Sequence, residues 1–190
     1  MANPFSLDLT GSLLVAMPGM GDPRFDRSVV LICAHSDEGA MGLIVNKPAR
    51  DVDLGALLDQ LDLTIDRAGR KGQVHIGGPV ETSRGFVLHS PDYVSKLKTL
   101  TVSEDFGMTA TLDVLEDIAA GSGPDQALIM LGFAGWGAGQ LEGEIGRNAW
   151  LTVEADAALV FDTCDDDKYI AALNKLGIDP LGLSGMAGRA

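Results

Sequence analysis

Two apolar runs, SVVLICAH (28–35) and MGLIVNKP (41–48), are joined by the polar linker SDEGA. Runs this short and this rich in β-branched residues read as strands, and a short linker carrying Gly39 makes them a hairpin. Neither strand alternates apolar with polar. Both faces of the hairpin must therefore be covered, which places it at the centre of the fold and excludes an open sheet with one face in water.

The remaining elements are read around that hairpin. GSLLVAMP is a strand stopped by Pro18, and QVHI, RGFVLH, KTLTV, QALIMLGF, WLTVEA and ALVFD are further strands. Leu54, Leu57, Leu58 and Leu61 recur at helical spacing behind Asp53, a residue suited to accept the free amide hydrogens of a first turn. In LDVLEDIAAG, Asp113 and Glu116 are spaced as a capping box and Gly121 supplies the stop. A last helix starts near Asp165, whose run of three aspartates suits a helix N-terminus, and Tyr169, Ala172, Leu173 and Leu176 line one face before Gly177. Strands outnumber helices and often follow one another directly. The expectation is α+β, a single domain over 1–190 with a mixed, mainly antiparallel sheet flanked by helices.

Bulk properties narrow the function. A chain of 190 residues buries roughly 70% of its unfolded surface and needs no staples. Its 14 basic and 27 acidic residues give a net charge of −13, which repels polyphosphates unless a local basic patch intervenes. The two basic clusters, Arg67, Arg70 and Lys71, then Lys96 and Lys98, lack interleaved aromatics and read as solvated turns. Direct nucleic-acid binding is not expected. The N-terminal segment has no basic region before its short apolar run, and no stretch is long enough to span a membrane, so a cytoplasmic protein is expected. Cys33 and Cys164 match no metal or redox spacing, and Cys33 reads as a small buried hydrophobe.

The segment LGFAGWGAGQLEGEIGRNAW (131–150) poses the sharpest chemical question. A strand, a glycine turn, a helix and a second strand closing on Glu154 or Asp156 resemble a dinucleotide-binding layout. The fingerprint G-x-G-x-x-G fails, because its last position holds Glu142, and only a lengthened spacing reaches Gly143. A helix of about ten residues containing Gly143 and Gly146 is weak, each glycine costing roughly 1 kcal/mol against alanine. Glu142 and Glu144 would also set negative charge where a pyrophosphate approaches. The segment reads instead as a tight strand-to-helix turn. The two glutamates fall on different sides of that helix, so they do not form an acid/base pair, and both are expected on a solvated surface.

No other constellation announces a reaction. His35, His75 and His89 have none of the spacings of a metal site, and neither metal nor cofactor is expected. Asp165, Asp166 and Asp167 lack the glycine and distal glutamate of a calcium loop. No G-x-S-x-G occurs.

Five islands, LLVAMPGMGDPRFDRSVVLICAH, GAMGLIVNKP, HIGGPVETSRGFVLH, LGFAGWGAGQLEGEIGRNAWL and LGIDPLGLSGMAGRA, in this order and spacing, resemble the YqgE/AlgH family of bacterial proteins. The resemblance covers about Gly11 to Ala190. It implies one α+β domain with a curved, partly barrel-like sheet, in the bacterial cytosol, and a regulatory role in exopolysaccharide synthesis; it supplies no reaction. The positions that match include Asp22, Phe25, His35, Asn46, Gly77, Gly78, Pro79, His89, Trp136, Gln140, Glu144 and Trp150. Phe133 stands where the family has tyrosine, and Arg189 where it tends to have histidine.

These readings converge on a binding or regulatory module for a small molecule or a protein partner, and not on an enzyme. The expected site is a groove where His35, Asn46 and His89, at the ends of apolar strands, meet the Gly77-Gly78-Pro79 turn and the Trp136–Gln140 segment. The rival is a hydrolase or transferase using His35 or His89 as general base.

Overall fold

The hairpin forms as expected. In the computed structural model, which describes residues 7–64 and 73–186, β2 (Val29–Ser36) and β3 (Gly39–Ile44) pair antiparallel around a two-residue turn at Asp37–Glu38. The strands run closer to the turn than the linker suggested, because Gly39 has a backbone (φ 141°) and a bareness no other residue combines. A Cβ there would lie 2.3 Å from the Trp136 carbonyl oxygen of the neighbouring strand. Leu31, Leu43 and Val45 enter one apolar cluster, and Val30, Ile32 and Ile44 enter another on the opposite face. Each such side chain contributes roughly 1.5–3 kcal/mol by burial. The hairpin is thus the doubly covered centre that its composition demands.

Around it the sheet curls. β1 (Ser12–Ala16) pairs with β2 and with β10 (Trp150–Glu154). On the other side β3 meets β9 (Ala127–Gly137), which continues to β6 (Val80–His89), β8 (Gly107–Thr109) and β7 (Leu100–Thr101), all antiparallel. β5 (Gln73–Ile76) joins the first half of β9 in parallel and pairs with β4 (Pro48–Asp53). β9 bends between these duties at Gly132 (φ 73°), where a Cβ would lie 2.4 Å from the Gly78 carbonyl oxygen.

The helices cover the curl. α1 (Leu54–Gln60) starts at Asp53, whose carboxylate accepts the Ala56 N–H at 2.7 Å. α1 and α2 (Leu112–Ala120) enclose a third apolar cluster with β5, β6 and β9. α3 (Gln140–Gly146) covers the outer face of the central hairpin with Leu141. α4 (Asp165–Lys175) buries Tyr169, Ala172 and Leu173 against the other face, and α5 (Pro180–Met186) follows.

Four local expectations need correction. The N-cap of α2 is Thr111, not Asp113; the Asp113 carboxylate instead accepts from Ser95 Oγ, Thr111 Oγ1 and the Lys96 N–H. ALVFD is a π-type turn over Ala158–Asp162, because the Asp156 carboxylate captures the Leu159 N–H and coils the chain before a strand can extend. β9 runs through Trp136 to Gly137 where a turn was expected, since Gly135 and Trp136 pair with Met41 and Ala40. KTLTV contributes only the two residues of β7. Arg67, Arg70, Lys71 and Arg189 lie outside the described residues.

Candidate functional site

The groove expected from His35, Asn46 and His89 does not form, and strand geometry is the reason. His35 pairs with Ala40 near the hairpin turn, whereas Asn46 sits at the opposite end beside Val29. Six residues of β2 separate those ends, about 20 Å of strand. His89 pairs with Ala127 at the start of β9, and Trp136 lies near its finish.

Each residue is instead held by local partners. Asn46 accepts the Val29 N–H through Oδ1 and donates from Nδ2 to the Arg27 carbonyl, clasping the β1–β2 loop to the end of β3. His35 Nδ1 accepts the Leu9 N–H at 3.1 Å, so its proton is on Nε2 and is donated to Glu142 at 2.7 Å. The Glu142 carboxyl lies below its usual range, held there first by a backbone N–H of the helix start and then by His35, against the opposing effect of burial. His89 is fully buried, with Nδ1 donating to the Ser90 carbonyl and Nε2 accepting from Thr109 Oγ1. Burial pushes its pKa down. The Gly77-Gly78-Pro79 turn is packed on the bend of β9 so closely that a Cβ at Gly78 would sit 2.0 Å from the Phe133 carbonyl carbon. Its glycines are required by that approach.

What the fold does assemble is a second groove, which gathers Pro79, Trp136 and Gln140 from the expected set with Asp22, Phe25 and Glu144. Two arginines, Arg24 and Arg147, complete its polar wall, and it encloses about 360 Å³. Asp22 caps the short 3₁₀ turn Pro23–Phe25 by accepting the Arg24 N–H and grips the Arg24 guanidinium at 2.7 Å. That turn delivers Phe25 onto both tryptophans: its ring centroid lies 6.4 Å from Trp136, stacked, and 5.5 Å from Trp150, edge-on. Trp136 and Trp150 meet edge-on at 5.9 Å.

Glu144 organises this cluster. Its Oε2 accepts both indole N–H groups, Trp136 at 3.0 Å and Trp150 at 2.8 Å, while Oε1 accepts Gln140 Nε2. Gln140 in turn accepts the Gly137 N–H. Glu144 is therefore no solvated surface residue; a half-buried carboxylate fixes two nearly buried indoles in place. Glu142 and Glu144 do point apart, one to His35 and one to the tryptophans, as residues two apart on a helix must. Arg147 has no side-chain hydrogen bond or ion pair among the described residues.

The family model described as AlgH-like matches residues 13–181. The chain belongs to the AlgH-like family. It is 60% identical over 185 residues to a UPF0301 protein of Ruegeria pomeroyi, covering 97% of this chain and all of that one. A UPF0301 protein of Rhodospirillum rubrum is 52% identical over 182 residues, covering 96% and 94%. The solution structure of the AlgH protein from Pseudomonas aeruginosa superposes with a TM-score of 0.79 at 41% identity, covering 100% of this chain and 98% of that one. Protein DIP2367 of Corynebacterium diphtheriae shares the fold, with a TM-score of 0.70 at 22% identity, over 92% and 89%. The curled, mainly antiparallel half-barrel with its helices is thus the AlgH fold. Among the described residues no helix is long and apolar enough to cross a membrane.

A further polar cluster lies apart from this groove and escaped the sequence reading. His75 Nε2 and the Lys168 ammonium both bond Asp165, each at 2.8 Å, and Lys168 also donates to the Val45 carbonyl. Lys168 is 1% exposed. Burial pushes the Asp165 carboxyl up, but the bonds from His75 and Lys168 outweigh it and leave it below the usual carboxylate range. The run of three aspartates signalled a helix start; which of them pairs inward depends on β5, ninety residues away.

Proposed function

We propose that this AlgH-like protein is a cytoplasmic binding module that regulates through a small molecule or protein partner seated in the Phe25–Trp136–Gln140 groove. One observation carries the reading: the Glu144 carboxylate holds both indoles rigid while Arg147 stays unpaired. A preformed Phe25–Trp136 face beside an unused guanidinium suits recognition of a polar or anionic group, because the aromatic side of the groove needs little ordering on binding. The regulatory role in exopolysaccharide synthesis implied by the family enters through that partner. A chain at −13 is poorly suited to grip DNA itself.

A hydrolase or transferase using histidine has less in its favour, since both His35 ring nitrogens are engaged and His89 is sealed in the core. The test is mass spectrometry of small molecules and proteins that co-purify with the native chain and with Arg147→Glu. A species enriched on the native protein and lost from a folded Arg147→Glu supports the groove. Identical profiles from the two proteins overturn it.

A further inference from the structure

The curl of the sheet leaves its largest apolar cluster open between β3 and the β7–β8 edge. Met41, Phe86, Leu100, Met108 and Phe133 line a cavity of about 340 Å³ there. Met41, Leu100 and Phe133 are the partly buried rim of the cluster, while Phe86 and Met108 form its floor. Two cations stand at the mouth, Arg84 and Lys98.

Arg84 is put there by a defect in the sheet. β6 pairs with β9 at Val80↔Phe133 and next at Gly85↔Leu131, so residues 81–84 bulge out of the ladder, with Glu81 at a φ of 47°. A bulge re-aims the side chains it carries. Here it brings the Arg84 guanidinium over the Phe86 ring, 5.1 Å from its centroid, where a solvent-exposed ion pair with Glu81 at 3.2 Å adds little. Among the described residues Lys98 has only a backbone bond, from its N–H to Ser95 Oγ. Arg84 and Lys98 are the charged residues of the lining, which includes no acid among the described residues, on a protein that is acidic as a whole.

We infer that this cavity binds a short unbranched acyl carboxylate, its chain on the Met41–Phe86–Met108 floor and its carboxylate between Arg84 and Lys98. The volume sits at the lower end of the roughly 300–1,000 Å³ typical of small-molecule sites, which suits a short chain and not a lipid or a peptide helix. Two methionines give a floor that adapts to a flexible chain. The walls are mainly apolar, with Thr111 the uncharged polar residue of the lining, and the cations at the mouth select the sign of the head group.

The probes are sodium octanoate, octylammonium chloride and octan-1-ol, titrated calorimetrically into the full chain, with methyl-¹³C methionine spectra as the positional readout. Octanoate is expected to saturate one site, shift the Met41 and Met108 methyls but not Met20, and bind at least about tenfold tighter than octylammonium. Arg84→Gln with Lys98→Gln, both exposed positions that leave the core intact, is expected to weaken octanoate about tenfold while octan-1-ol is unaffected. Equal affinity for octylammonium, undiminished octanoate binding in the double variant, shifts confined to other methionines, or no heat with octanoate at millimolar concentration would each overturn the inference. Arg147→Glu leaves octanoate binding unchanged, which separates this cavity from the tryptophan groove.

Discussion

Replacing Glu144 by alanine tests whether one carboxylate holds the groove together. The change removes the acceptor for two indole N–H groups on side chains only 6% and 2% exposed. An unsatisfied buried donor costs about 1–3 kcal/mol, and since Glu144 borders an open groove, water recovers part of that. Taking about 1–1.5 kcal/mol for each indole gives a loss of about 2–3 kcal/mol. With a urea dependence of about 2 kcal/mol per molar, the unfolding midpoint falls by about 1–1.5 M. Glu144→Gln keeps one oxygen able to accept both indoles and loses only the charge assistance, so about 1 kcal/mol is expected. The chain's two tryptophans are both in this cluster, so their fluorescence reports unfolding and the site together. Glu144→Ala should also red-shift the folded-state emission. A Glu144→Ala midpoint within about 0.3 M of the native one, or Glu144→Gln as costly as alanine, would refute the reasoning.

Three other outcomes follow from the same structure. Asp165→Ala strands the nearly unexposed Lys168 ammonium on one carbonyl and should cost about 3–5 kcal/mol, whereas Lys168→Met, which keeps the stem's packing, should cost clearly less; urea midpoints rank them. Gly78→Ala places a Cβ 2.0 Å from the backbone of β9 and should prevent soluble folding, while Gly139→Ala, at φ 69° with open space around it, should cost only about 1–2 kcal/mol by thermal unfolding. Burial depresses the His89 pKa, so its unfolded-state ring takes up a proton first: stability present above about pH 6.5 is lost as pH falls toward the folded pKa. Urea midpoints at pH 7.5 and 5.5 should show that decline, and His89→Gln should reduce the slope.

Periodicity and capping were legible in particular residues. Asp53 caps α1, Gly121 ends α2 in the left-handed conformation, and Tyr169, Ala172 and Leu173 are the buried face of α4. Each is a property of a residue's own turn or face. ALVFD failed for the complementary reason: its composition suits a strand, but a hydrogen bond from the preceding Asp156 coils it. The site was legible only in part. Trp136, Gln140 and Pro79 do share a groove, and the resemblance already marked Asp22, Phe25 and Glu144, but nothing in the spacing tells that Glu144 is shared between two indoles.

By itself the sequence determined a doubly covered hairpin, an α+β chain with a mainly antiparallel sheet, and an acidic surface, because burial pattern and charge are written locally. Only the tertiary structure decided partners: His35 with Glu142, His75 with Asp165, Glu144 with Trp136 and Trp150. Those pairs are chosen by strand register and by the bend of β9 at Gly132, which set which distant side chains come within hydrogen-bond reach. Strand register likewise sets His35 and Asn46 at opposite ends of the central hairpin, while Phe25, Trp136 and Gln140 meet in one groove.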